Sequence, residues 1–491
     1  MSERPNILYI MSDDHAAHAI SAYGSVVNQT PNIDRLAAEG VRLENTFCTN
    51  ALCTPSRATI LTGQYSHVNE VKTLDDKIDA SRPVQSQKLL KAAGYDTAIV
   101  GKWHLGNDDA SHPQGFDYWN VLPDQGDYWD PKFFENGAEV QYEGYCTDII
   151  TEKAVDWLDS RDSENPFFLM VHHKAPHSPW LAAEPHQDLG VEGEFPEPET
   201  LMDKYETRST AVKISSLQIE DTRKANLKFD PPEWVTNREE KRKWAYQRYI
   251  TDYTRTVQAV DDSVGTLLDY LDEHGLAENT LVVYTSDQGM FLGDHGWHDK
   301  RFMYEESLRM PFIARYPGQI EAGSVNDDML LNIDFAPTFM DYAGVDVPDE
   351  VQGESGRGVL EGSTPSEWRT SLYYRYWMHT IGHRIIPHYG VRNERYKLIY
   401  YYGVTPEDTG NPDLVLDAEW ELYDLEADPQ ELNNVYGNPE FAGVQAEMLA
   451  ELDRLQAVYG DAARHWEGAY FCHPEVLEGS TASRTTGLRG D

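Results

Sequence analysis

Residues 6–15 read NILYIMSDDH: a mostly apolar run from Asn6 to Met11, then Asp13, Asp14 and His15 almost at once. A short apolar run that ends abruptly in carboxylates reads as a buried strand with polar groups at its carboxyl end. The pattern recurs three times. Thr97–Val100 hands over to Gly101, Lys102, Trp103 and His104, Phe167–Val171 to His172, His173, Lys174 and His177, and Leu281–Thr285 to Asp287 and Gln288. Helical patterns lie between these runs. Thr30-Pro31 opens a helix through Ala38, with Thr as N-cap, and Gly40 ends it. From Tyr246 to Leu271, apolar residues at 246, 250, 253, 257, 260, 264, 267 and 271 keep helical spacing, and Gly275 closes the helix. The alternation predicts an α/β fold: a large, mostly parallel sheet flanked by helices. Open sheets of this kind bind ligands beyond the carboxyl ends of their strands. One Asp or His after a strand is a turn or cap residue, but four such endings point to one composite site.

The character changes from about Pro348. Glu350–Glu367, rich in Gly, Ser and acidic residues, reads as a linker or long loop. Ser371–Trp377, Tyr389–Val391, Lys397–Tyr402 and Glu421–Tyr423 are short aromatic and β-branched segments, typical of an antiparallel sheet, with a helix at about Ala442–Val458 packed on it. The tyrosine-rich runs among them read as sheet core and not as a base-stacking surface. The expected organisation is a larger α/β domain over residues 1–347, carrying the strand-end site, and a smaller C-terminal α+β domain over 348–491. Residues 184–237, with several Pro and acidic side chains, read as an insertion near the strand ends. There is no internal repeat.

The chain has 491 residues, with 83 Asp plus Glu against 41 Lys plus Arg, a net charge of −42. A polyanion is a poor partner for nucleic acid or an anionic membrane, which need a basic surface. With 40% hydrophobic and 11% aromatic residues the chain is not disordered. The excess acid is expected of a halophile's protein working in molar salt, where a Debye length of about 3 Å screens self-repulsion. Four cysteines (Cys48, Cys53, Cys146, Cys472) do not make a disulfide framework in a chain of this length. No basic leader precedes Asn6 and no apolar run approaches the ~20 residues that span a bilayer, so a cytoplasmic protein without membrane insertion is expected.

The most informative segment is Cys53-Thr54-Pro55-Ser56-Arg57, followed by ATILTGQ. Pro55 sits where a helix begins, which puts Cys53 near a helix N-terminus, where unpaired N–H groups and the dipole favour an anion. Arg57, four residues on, projects from the same face.

With this pentapeptide the sequence resembles the type I sulfatases of the alkaline phosphatase superfamily, in which the Cys of C-x-P-S-R becomes formylglycine. Further matching segments are NILYIMSDDH, TPNIDRLAAEGVRLENTF, GKWHLG, HKAPHSPW, YTSDQGMFLGDHGWHDK and, near the C-terminus, RYKLIYYY and ELYDLEADPQELNN. The motifs are most similar to the N-acetylglucosamine-6-sulfatase-like, glycan-desulfating branch. The resemblance implies hydrolysis of a sulfate ester on a sulfated carbohydrate, and a formylglycine-generating enzyme as partner. It implies a divalent cation, Ca2+ or Mg2+, on Asp13, Asp14, Asp287 and Gln288 together with the modified Cys53. Gln288 stands where the family more often has Asn or His, and its carbonyl oxygen can still serve as a hard ligand. Lys102, His104, His177 and Lys300 would contact the sulfate or move protons, His298 would touch substrate, and Arg57 would orient the hydrated aldehyde. A gem-diol at position 53 attacks sulfur with one hydroxyl and, by losing the other proton, expels sulfate. A plain Cys or Ser cannot perform that second step.

His172, His173 and His177 could suggest zinc, but Lys174 stands among them, and Cys or spaced acidic partners are missing. Two rivals stand beside this reading: a phosphonate monoester or phosphodiester hydrolase, which shares the fold and sometimes the C-x-P-S-R cysteine, and a non-catalytic glycan-binding relative with Cys53 unmodified. Asp294 and His295 read as loop residues that shape the pocket.

Overall fold

The computed structural model describes residues 4–162, 164–190, 195–378, 383–404 and 415–461; Cys472 lies outside them. The chain divides into two compact units, one of residues 1–202 and 218–370, the other of 203–217 and 371–491.

The first unit is built on an 11-stranded sheet. Its strands are β1 (Asn6–Ser12), β2 (Val41–Phe47), β3 (Asp96–Lys102), β4 (Tyr118–Leu122), β5 (Lys132–Glu135), β6 (Ala138–Gln141), β7 (Phe167–His172) and β8 (Thr280–Ser286). After a short hairpin of β9 (Phe291–Leu292) and β10 (His298–Asp299) come β11 (Arg309–Arg315), β12 (Ser324–Asn326) and β13 (Leu330–Leu331). The order is β12-β2-β11-β8-β1-β7-β3-β4-β5-β6, with β13 also on β2. The central strands β8, β1, β7, β3 and β4 are parallel. β11 runs antiparallel to both neighbours.

Both faces of the sheet are covered, so its strands are continuously buried rather than alternating. On one face Leu8, Ile10, Ala98, Val100, Leu169, Val171 and Val282 pack with the helices Pro31–Ala38, Cys146–Ser160 and Arg238–Glu273. On the other, Tyr9 and Phe168 meet Phe339 edge-on or tilted, at ring distances of 5.3 and 5.6 Å, from the helix Phe335–Tyr342. The helix Cys53–Thr62 is buried along its whole length. Residues 348–370 hydrogen-bond into this unit: Gln352 N–H donates to the Gly63 carbonyl (2.8 Å) and Glu354 N–H to Asp334 Oδ1 (2.9 Å).

The second unit is an antiparallel sheet in the order β14 (Ser371–Tyr376), β15 (His388–Asn393), β16 (Tyr396–Tyr401), β17 (Glu419–Asp424). The helix Ala442–Val458 covers it with buried Met448, Leu452 and Leu455. Segment 203–217 joins this unit through Ser209 N–H to Glu421 Oε1 (2.7 Å) and Thr210 N–H to Glu419 Oε2 (2.6 Å). Among the described residues, no helix is long and apolar enough to cross a membrane.

Candidate active site

Strands β8, β1, β7 and β3 are adjacent and parallel, so the polar residues that follow them open onto one edge of the sheet. Ser12 pairs with Ser286, and Gly101 with His172, which brings Asp13-Asp14, Asp287-Gln288, Lys102 and the His172–His177 loop together. Asp14 turns the chain with φ 67°, a left-handed conformation that Asp tolerates better than most residues. Its N–H donates to Asp287 Oδ1 (3.2 Å), and its carbonyl accepts from the Tyr253 hydroxyl (2.8 Å). Gly101 has φ 104°, and a Cβ there would lie 1.9 Å from the His172 carbonyl oxygen. Only glycine lets β3 approach β7 so closely just before Lys102.

Cys53 is the first residue of its helix and 1% exposed. Arg57, one turn on, pins that helix to two strand ends: Nε donates to Asp287 Oδ2 (3.0 Å) and Nη1 to the Lys102 carbonyl (2.8 Å). Ser56 Oγ donates to the Asp287 carbonyl and accepts from Asn332 Nδ2 (2.9 Å). Lys102 Nζ donates to Asp13 Oδ2 and to Gln125 Oε1, and Lys300 Nζ to Asp14 Oδ1. Three carboxylates thus face three cations, each of the six residues no more than 3% exposed.

Half-buried His177 places Nε2 3.7 Å from Asp14 Oδ2, and half-buried His104 places Nδ1 3.3 Å from Thr54 Oγ1. His298 lies in the β9–β10 hairpin, 8% exposed. In the same loop Asp294 pairs with His18 at 3.2 Å, and His295 Nε2 is 3.7 Å from Glu306 Oε2.

Asp13, Asp14 and His177 offer ligand atoms within 4.8 Å of one another. Gln288 Nε2 donates to Asp14 Oδ1, which leaves its Oε1 as a buried acceptor without a hydrogen-bond partner; Asp13 Oδ1 is another. Buried oxygens without donors, among carboxylates, suit a hard divalent cation. The residues present therefore fit the expected metal.

The electrostatics follow from burial. Burial pushes Asp14 up to about 6 against the pull of Lys300, and Asp287 up to about 7, with Asp13 adding and Arg57 opposing. For Asp13 burial also pushes up, but Lys102, His177, Arg57 and Lys300 together outweigh it and hold the carboxyl well below its usual range. Burial, then the Lys102 charge, holds His104 well below the ordinary imidazole value; burial does the same for His177 against Asp13. Burial raises the Cys53 thiol despite Lys102 and Lys300, so an unmodified Cys53 stays protonated and a poor nucleophile.

These contacts bring together Asp13, Asp14, Arg57, Lys102, His177, Asp287, Gln288 and Lys300, with Cys53 at the start of the helix that carries Arg57 and His104 against its second residue, Thr54. Gln125, Tyr253 and Asn332 carry no functional signal in the sequence: Tyr253 is an apolar position of the helical pattern, and Gln125 and Asn332 lie in no periodic motif.

The family described as Sulfatase matches residues 5–345. The chain belongs to the sulfatase family. The pattern described as N-sulphoglucosamine sulphohydrolase, C-terminal, matches residues 293–458 of this sulfatase. An N-acetylglucosamine-6-O-sulfatase of Bacteroides thetaiotaomicron is 43% identical, over 94% of this chain and 88% of that one. An ulvan-active sulfatase of Formosa agariphila is 30% identical, over 93% and 82%. A solved structure described as a complex with its substrate D-glucosamine-2-N,6-O-disulfate superposes with a TM-score of 0.86 at 42% identity, covering 94% of this sulfatase and 99% of that chain. The protein is a sulfuric ester hydrolase, and the resemblance read from its motifs is borne out.

Proposed function

We propose that this sulfatase removes a sulfate ester from a sulfated sugar through a formylglycine made from Cys53, with a 6-O-sulfated glucosamine as the first substrate to test. The observation that carries the reading is Cys53 at the start of a buried helix, among three carboxylates, three cations and two unpartnered oxygens. The relatives at 43% and 42% identity support the sugar.

Asp13, Asp14, Asp287 and Gln288 would hold the divalent cation, calcium or magnesium, with His177 beside them. When bound, the cation adds two positive charges to a balanced cluster, which then suits an anionic ester. Formylglycine supplies, once hydrated, one hydroxyl for attack on sulfur and a second whose deprotonation releases sulfate. Lys102 and Lys300 face the sulfate oxygens and stabilise the charge that develops on them. Arg57, fixed by Asp287 and the Lys102 carbonyl, orients residue 53. His104 is the base that takes the proton from the second hydroxyl, and His177 or Lys300 gives one to the leaving oxygen. The net charge of −42 supports a working environment of high salt, where the outer repulsion of an anionic substrate is screened.

The test is release of inorganic sulfate from a panel of sulfated mono- and oligosaccharides at low and molar salt, beside a phosphate diester. The expected result is a higher kcat/KM on a sulfated sugar than on the diester. The opposite preference would overturn the sugar sulfate reading. Peptide mass spectrometry of residues 49–57, on protein from its native host, is expected to show formylglycine; a persistent thiol would argue against this chemistry.

A further inference from the structure

Apart from the carboxylate cluster, the first unit holds a groove of about 670 Å³ whose lining includes Phe229, Trp234, Lys243 and Arg248. Phe229 and Trp234 are 58% and 57% exposed, and no other Phe or Trp among the described residues is as open. Single exposed apolar side chains are ordinary, but two aromatic faces on one groove form a patch that calls for a ligand.

The charge here departs from that of the molecule. Lys228, Arg248 and Arg255 converge on the one carboxylate of Asp252, at 2.8, 2.9 and 3.5 Å. A local surplus of positive charge therefore sits in a chain of net charge −42. The acids of the groove wall are already answered, Glu197 by Lys243 (3.1 Å) and Asp230 by Lys224 (2.8 Å). Arg248 lies 4.7 Å over the Phe229 ring and is 8% exposed, and its buried Nε has no hydrogen-bond partner. A buried N–H without an acceptor is costly unless a ligand supplies one.

The groove connects physically to the candidate site. Arg248 precedes Tyr253 on the same helix by about 7.5 Å of rise, and Tyr253 holds the Asp14 carbonyl. Lys228 Nζ donates to the carbonyl of Trp180 (2.6 Å), in the loop that carries His177.

We propose that the groove is a second sugar subsite. It takes a sulfated or carboxylated sugar from the same oligosaccharide whose ester is cleaved, stacked on Phe229 and Trp234 with its acidic group on the Arg248 guanidinium. The flat apolar face of a pyranose matches an open aromatic ring, and a guanidinium N–H matches an anionic oxygen. This rests on the glycan reading above and narrows it from a lone sugar to a chain.

The experiment compares a 6-O-sulfated N-acetylglucosamine with a tetrasaccharide that carries the same terminal sugar on sulfated neighbours. Wild type, the Phe229→Ala/Trp234→Ala double variant and Arg248→Gln are assayed, with thermal melts to confirm folding. The double variant is expected to raise KM for the tetrasaccharide about ten-fold and to leave the monosaccharide constants unchanged. Arg248→Gln is expected to do the same only where the neighbouring sugar is charged. Equal effects on both substrates, or none on either, overturn the subsite. Quenching of tryptophan fluorescence by the tetrasaccharide reads binding without turnover. Binding that the double variant loses supports the subsite even if no sulfate is released, in which case the glycan-hydrolysis reading fails alone. Hydrolysis of the monosaccharide with no gain from the longer chain overturns the subsite alone.

Discussion

Replacing Lys102 with Met keeps the length and apolar stem of the side chain and removes one cation from the carboxylate cluster. In wild type Asp13, Asp14 and Asp287 are balanced by Arg57, Lys102 and Lys300, all buried. After the change Asp13 keeps its burial and loses the strongest of the charges that offset it. Breaking a buried ion pair from one side costs about 3–5 kcal/mol, which should lower the melting temperature by several degrees in chelator. Excess calcium supplies the missing charge, so the deficit should shrink when the cation is restored. Turnover should remain impaired, because removing one preorganised charge at a reacting centre costs on the order of 10²–10³ in kcat. The assays are thermal melts with and without chelator, and sulfate release at saturating calcium. A melting deficit that calcium does not change, or a kcat/KM close to wild type, would refute the charge balance or the placing of Lys102 against sulfate.

Cys53→Ala should abolish sulfate release while melting as wild type does; retained turnover would rule out residue 53 as nucleophile. His104→Ala should slow kcat by about 10²–10⁴. A first-turnover release of alcohol should then outrun release of sulfate, whereas matched release of the two would remove His104 from the second step. Asp261 accepts from the N–H groups of Asn32 (3.1 Å) and Ile33 (2.9 Å), and burial raises its carboxyl to about 6 despite those bonds. The folded state therefore holds that proton to higher pH than the unfolded chain, so this residue makes stability fall as pH rises from about 4 to about 6, by up to about 3 kcal/mol. Asp261→Asn should lack that slope, and denaturant titrations across the window would show an unchanged difference from wild type if the account is wrong.

Much of this architecture is written locally in the chain. NILYIMS and the other core strands are legible because a strand covered on both faces is apolar at nearly every position. The long helix is legible only from Tyr246 although it begins at Arg238, because its first turns, REEKRKW, are mostly charged. The local signal there is Asn237, whose side chain accepts the Glu240 N–H at 2.9 Å. At the Cys53–Arg57 segment Pro55 marks the helix, yet the first turn starts at Cys53, with extended Leu52 before it and Leu52 O bonded to Ser56 N–H at 2.9 Å. Strand order is not local: periodicity shows that Arg309–Arg315 is buried, not that it runs antiparallel between β2 and β8. The same holds for the cluster. Motifs at four strand ends announce Asp13, Lys102, His177 and Asp287, but the Lys102–Asp13 pair spans 89 residues of chain, and Gln125 and Asn332 meet the others only in three dimensions.

The central place of β1 in the sheet sets a timetable for synthesis. Strand β1 leaves the ribosome well ahead of its partner β8, which follows only after most of the first unit has been made. Ser56 and Asp287, which meet in the finished fold, are 231 residues apart. At about 5–20 residues per second, the segment around Cys53 stays outside its final burial for on the order of 10–50 s. A modification of Cys53 has that interval in which to act on an open chain. On the proposed formylglycine chemistry, the translation rate thus bears on the fraction of molecules that fold with residue 53 modified.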